Sequence, residues 1–157
     1  MQIKYLSNLN CEIKTKNAVV MTNPPKINDF VLDTPGEFEV AGVMVEGMDI
    51  NGEKIFVFDI EEMKICYIDG IEKKLENKEL DFVSVVDIVI APVEEENKTK
   101  LDQIQEIVNS IDPKMVVVIG EKKDEAEKVF GAMEKIDVLK ISKTNLPEEG
   151  RQIIALG

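Results

Sequence analysis

The hydrophobic period of this chain changes once, near residue 85, and that change constrains the fold more than any other feature. Before it, apolar residues alternate with polar ones, the two-residue period of strands with one buried face. "QIKYL" and "CEIKTK" read as strands, and "AVVMT" follows after a Lys-Asn turn. "NPPKIND" is then expected to break the ladder, because Pro24 and Pro25 donate no hydrogen bonds. "GVMVEGMDI" directs Val43, Val45 and Met48 to one face. Asn51-Gly52 marks a type I′ hairpin into "EKIFVFDI", which pairs with "MKICYI" across a turn at Glu61-Glu62.

After the change, apolar runs of strand length alternate with helical stripes. "VDIVIAPV" and "KMVVVIG" read as buried strands. Between them, "KTKLDQIQEIVNSIDP" places Leu101, Ile104, Ile107, Val108 and Ile111 on one stripe, with Thr99 or Asn97 as cap and Pro113 as stop. "KKDEAEKVFGAMEKI" forms a second helix on Ala126, Val129, Phe130 and Met133, and "DVLKI" and "RQIIAL" close as strands. A meander followed by alternating helices and strands predicts two sheets with helices outside. No linker or repeat divides the chain, so residues 1–157 are read as a single domain, long enough to bury a core without disulfides.

Composition narrows function chiefly by exclusion. A net charge of −12 argues against nucleic acid or an anionic membrane as partner, because phosphates require a basic patch. No signal pattern opens the chain, and no apolar run approaches the roughly 18 residues of a membrane helix, so a cytoplasmic location is expected. Cys11 and Cys66 sit in strand-like runs and suit a reducing compartment as buried thiols, with a disulfide between neighbouring strands left open. There is no histidine. That removes imidazole acid/base catalysis, Ser-His-Asp and Cys-His nucleophiles, and the usual imidazole metal sites.

The acidic residues cluster near turns. In "DTPGEFEVAG", Pro35 and Gly36 suit a type II turn, followed by a half-buried strand with Glu37 and Glu39 on one face and Phe38 and Val40 on the other. Paired carboxylates of this kind are also candidate ligands for a divalent cation. Asp59, Glu61 and Glu62 lie at a hairpin tip, and Asp69-Gly70 ends a strand at a sheet edge. Gly120 joins a strand to a helix, where backbone N–H groups bind anions, but "IGEKKDE" carries neither glycine-rich phosphate pattern. Tyr5 and Tyr67 are the only tyrosines and tryptophan is absent, a poor supply for base stacking.

Taken in order, "IKYL…CEIKTKNAVVMTNPP", "FVLDTPGEFEVAGVMVEGM", "EKIFVFDIEEMKICYIDGIEKKL", "VDIVIAPVEEE" and "IVNSIDPKMVVVIG" resemble small bacterial metallo-β-lactamase-fold hydrolases. The relevant subset carries a P-G-E-[YF]-E-V segment. The resemblance implies an α/β (α+β) fold, a metallo-β-lactamase-like αββα sandwich with mixed sheets, here truncated. It also implies a two-metal centre that makes a hydroxide nucleophile. That centre is built from an H-x-H-x-D-H loop, a later histidine, a bridging aspartate and a final histidine. In this chain Pro25 is followed within ten residues by the PGEFEV block, so the ligand loop is missing. Asn23-Pro24 stands for the usual D-P, Gly70 stands at the bridging aspartate, and the final histidine falls at about Gly120.

No catalytic residue, metal ligand or cofactor is therefore assigned. The expectation is a catalytically inactive domain acting as a binding or assembly module, as a homo-oligomer or with a protein partner, through the side uncovered by the missing loop. The alternative is a divergent hydrolase with carboxylate-bound Mg²⁺ or Mn²⁺, for which Asp69, Asp33 and Glu37 are the candidate ligands. A third reading is a small-molecule sensor using the vacated cleft.

Overall fold

The computed structural model describes residues 1–95 and 99–157; Asn97, one of the two caps expected for the first long helix, lies outside them. Strands β1 (Gln2–Ser7), β2 (Asn10–Lys14), β3 (Val19–Thr22), β4 (Pro25–Ile27) and β5 (Phe30–Val31) form an antiparallel meander. The ladder therefore continues through "NPPKIND", contrary to the sequence expectation. The Asn23–Pro24 peptide is cis and turns the chain, and Pro25 is the first strand residue. In that place a missing N–H costs nothing. The Pro25 carbonyl still accepts from the Leu32 N–H at 3.0 Å.

The second sheet begins with β6 (Gly36–Val40), β7 (Val43–Ile50), β8 (Glu53–Ile60) and β9 (Met63–Tyr67), all antiparallel. Asn51 and Gly52 both take positive φ (58° and 85°), as the expected hairpin requires. Thr34 and Pro35 make a bend, and Gly36 opens β6 with φ +130°, inside the strand where a type II turn had been expected. From β9 the sheet turns parallel, adding β10 (Ile88–Pro92), β11 (Met115–Ile119), β14 (Gln152–Leu156) and β12 (Glu134–Ile136). β13 (Val138–Lys140) crosses to the first sheet and pairs with β1. The orders are β13-β1-β2-β3-β4-β5 and β12-β14-β11-β10-β9-β8-β7-β6.

Helices α1 (Asn77–Val83), α2 (Leu101–Ile111) and α3 (Lys123–Phe130) follow the parallel strands. Helix α1 was not foreseen; Glu76 and Glu79 close a reciprocal capping box at its start. Helix α2 buries Ile104, Ile107, Val108 and Ile111 as the stripe predicted, and ends at Asp112 in the left-handed conformation before Pro113. Its cap differs from expectation: Lys100 holds that position without a side-chain bond. Thr99 is buried, and its hydroxyl accepts the Ile71 N–H at 2.9 Å. Helix α3 stops at Gly131, so Met133 packs from the connection to β12, not from the helix.

Two cores result. Ile3, Ile13, Val20, Val45, Phe58 and Ile90 belong to the layer between the sheets. Val57, Val89, Val116, Ile104, Val108 and Ala126 belong to the layer between the larger sheet and the helices. Met48 packs in this second layer, opposite Val43 and Val45, and Gly47 holds the inward slot because the Phe56 ring fills it. The expected mixed-sheet sandwich is present. The buried residues of all three α-helices pack on the eight-stranded sheet, so among the described residues no α-helix covers the outer face of the six-stranded one.

Candidate functional site

A cavity of about 430 Å³ lies where the β3–β4 turn, the segment after β5, the start of β8 and the end of β9 meet. Each element contributes for a local reason. Asn10 fixes the β3–β4 turn: its Oδ1 accepts the N–H of Thr22 at 3.2 Å and of Asn23 at 3.0 Å. The Asn51-Gly52 hairpin brings Glu53, Lys54 and Ile55 to the rim. Leu32, just after β5, and Phe56 and Phe58 of the interior strand β8 form an apolar floor.

Tyr67 stands at the end of β9 and its hydroxyl donates to the Leu9 carbonyl at 3.0 Å. Burial pushes its pKa well up, and the Asp69 charge adds to the rise. The phenol is therefore neutral and already committed as a donor. Sequence reading missed Tyr67, Glu53 and Lys54 as lining groups. Only the Asn51-Gly52 signal, which places a hairpin tip at residue 52, could have pointed to the latter two.

Of the three candidate carboxylates, Asp33 and Asp69 line the cavity and Glu37 does not. Glu37 is exposed on β6, opposite Glu46, as the outward face of that strand. Asp69 is half-buried and accepts its neighbour's N–H, Gly70, at 2.9 Å. Among the described residues no group of three or more histidine, cysteine, aspartate or glutamate side chains is placed to hold a metal ion.

Two glycines stand where the resemblance implies metal ligands, and both take positive φ. Gly70 has φ +80°, and a Cβ there would lie 2.7 Å from Cγ of Glu53. Gly120 has φ +105°, and a Cβ would lie 2.7 Å from the Val93 carbonyl oxygen. That oxygen is held in place by the Lys122 N–H at 2.9 Å, while Val93 donates to Ile119 at 2.8 Å. With no histidine in the chain and no group of three or more such ligands placed together among the described residues, the residues present do not fit a two-metal centre in donor chemistry.

Beside the cavity, β5 leaves apolar side chains in solvent. Phe30 is 43% exposed and Val31 57% exposed on the edge strand β5. The Phe30 ring centroid lies 5.7 Å from that of Phe38 on β6, so the edges of the two sheets meet through aromatic contact. Cys11 and Cys66 are both buried free thiols. No helix among the described residues is long and apolar enough to cross a membrane.

A family model described as the beta-lactamase superfamily domain matches residues 22–119. A solved structure from Thermotoga maritima, provisionally called a zinc-dependent hydrolase of the metallo-beta-lactamase superfamily, is similar with a TM-score of 0.80 and 17% identity. That match covers 99% of this chain and 98% of the other. A Parabacteroides distasonis protein, provisionally called a metal-dependent hydrolase, matches at TM-score 0.57 and 8% identity, over 98% of this chain and 91% of its own. At such identities the likeness carries the fold alone. No curated protein sequence matches the chain.

Proposed function

We propose that this chain, which belongs to the beta-lactamase superfamily, acts as a catalytically inactive binding or assembly module. The observation that carries the reading is a pair of glycines where the resemblance implies ligands. Val93 and Glu53 occupy the space where side chains would stand at Gly120 and Gly70, in a chain without histidine. Asp33, Glu53 and Asp69 line one cavity, but among the described residues no three carboxylates are placed together to supply the several oxygen ligands a hard divalent cation takes. The carboxylate-metal hydrolase reading is thereby the weaker one.

The binding side is the one the short Pro25–Gly36 connection leaves bare. Phe30 and Val31 are large apolar groups on an edge strand, next to the cavity rim at Leu32 and Asp33. Exposed apolar surface beside a concavity is where interfaces form. The occupant is a second copy of the chain or another protein. The apolar floor of Leu32, Phe56 and Phe58 supports a secondary reading, in which a small molecule shares the cleft.

Sedimentation velocity over a wide concentration range tests the first reading, with Phe30→Ser/Val31→Ser as the comparison. Concentration-dependent association lost in the double variant supports self-assembly through this side. A monomer at every concentration, with no partner retained by immobilised wild-type chain over the double variant, contradicts the reading.

A further inference from the structure

We infer that the outer face of the six-stranded sheet is a docking surface for an acidic amphipathic helix of a partner protein. This face is separate from the cavity and from Phe30, which registers opposite the inward Ile27; it shares only Val31 with the side proposed above. Cross-strand pairing sets one row of this face as Val138, Lys4, Glu12, Met21, Lys26 and Val31, because directly opposed residues share a face. The next row runs Lys140, Gln2, Lys14 and Val19. The alternate residues Ile3, Ile13, Val20 and Ile27 are fully buried in the inter-sheet core, so the two rows point outward.

Two properties set this face apart. Its charges are inverted: residues 1–31 carry four lysines against two acidic residues, in a chain of net charge −12. Lys4, Lys14, Lys26 and Lys140 are exposed, and no ion pair among the described residues involves them. Between the lysines lie the half-buried Val19, Met21 and Val138 and the exposed Val31. The opposite sheet has its own three helices; this one has none among the described residues.

These properties define the occupant. The strands at the centre of the sheet are paired on both sides, so a partner packs on the face and does not add a strand. Six strands span about 24 Å at about 4.8 Å per spacing, the length of a helix of about 16 residues. Apolar residues of that helix would cover Val19, Met21 and Val138, and flanking Asp or Glu would meet the four lysines. A long polyanion such as nucleic acid is disfavoured, since the rest of the chain repels it.

The test is selection of a random 20-residue displayed peptide library on the intact chain, with winners mapped by amide NMR shifts. Enriched peptides are expected to carry Glu or Asp flanking apolar residues at helical spacing and to shift amides of β1–β4. They should bind Lys4→Glu/Lys14→Glu/Lys26→Glu about tenfold more weakly, with a loss that shrinks in high salt. Met21→Gln, half-exposed and uncharged, should weaken them by a similar factor at every salt concentration. Winners without acidic residues, or winners that map to the helical layer, overturn the inference. So does equal retention of phosphatidylserine vesicles or poly-uridylate RNA by this face, or occupation of it by a second copy of the chain.

Discussion

The α-carbon of Gly120 faces the carbonyl oxygen of Val93 so closely that a Cβ on residue 120 would lie 2.7 Å from it. Val93, just past β10, donates to the Ile119 carbonyl and accepts from the Lys122 N–H, which ties the ends of β10 and β11 together there. Gly120→Ala should therefore cost about 2–3 kcal/mol, from positive φ and the collision together. Gly42 has φ +82° with nothing near its Cβ position, so Gly42→Ala should cost only about 1 kcal/mol. Urea denaturation of the two variants separates the steric part, and equal losses would show that the Val93 contact gives way freely.

Thr99→Val should destabilise the chain by about 1–3 kcal/mol, because it removes the acceptor of the buried Ile71 N–H without changing side-chain volume much. Thr99→Ser keeps the hydroxyl and should lose distinctly less. Thermal melts of both variants check this, and similar losses would assign the residue a packing role only.

Burial pushes both Cys11 and Cys66 up to about 12 from an ordinary 9. In the folded chain both thiols are neutral and covered, so thiol-specific reagents at pH 8 should label them only after unfolding. A folded-state pKa above the unfolded one contributes stability that is fully present below pH 9. That contribution is lost as pH rises from 9 towards 12. Replacing both with Ala should flatten the alkaline fall in stability, measured as urea midpoints across that range.

The fold was largely legible in the chain because its signals are local. Asn51-Gly52 carries its hairpin in two residues, and the helix 101–111 carries its stripe in eleven. The errors fall where a neighbour in space decides. Pro25 was read as a breaker, yet a strand's first residue requires no donor. Met48 was put with Val43 and Val45 because Gly47 leaves no side chain to keep the alternation visible, its place being taken by Phe56 from the next strand. Thr99 looked like a cap, but its hydroxyl is claimed by Ile71, twenty-eight residues away.

The site was less legible. Asp33 and Asp69 meet at one cavity although nothing in their spacing says so, and Glu37, two strand steps past the bend, does not join them. Tyr67, Phe56 and Phe58 line the same space because β8 and β9 pair antiparallel and put all three on the inter-sheet face. Absence was the clearest local signal: a chain without histidine offers no imidazole ligand wherever its residues end up.

We propose that this superfamily domain holds no metal centre, as a chain without histidine suggests. This claim is tested most directly by elemental analysis of protein purified without chelator or a histidine tag, followed by titration with Mn²⁺ and Zn²⁺ while unfolding is monitored. The account predicts far less than one metal per chain and no rise in melting temperature on addition. One or more tightly held equivalents with clear stabilisation, abolished by Asp33→Asn or Asp69→Asn, would contradict it.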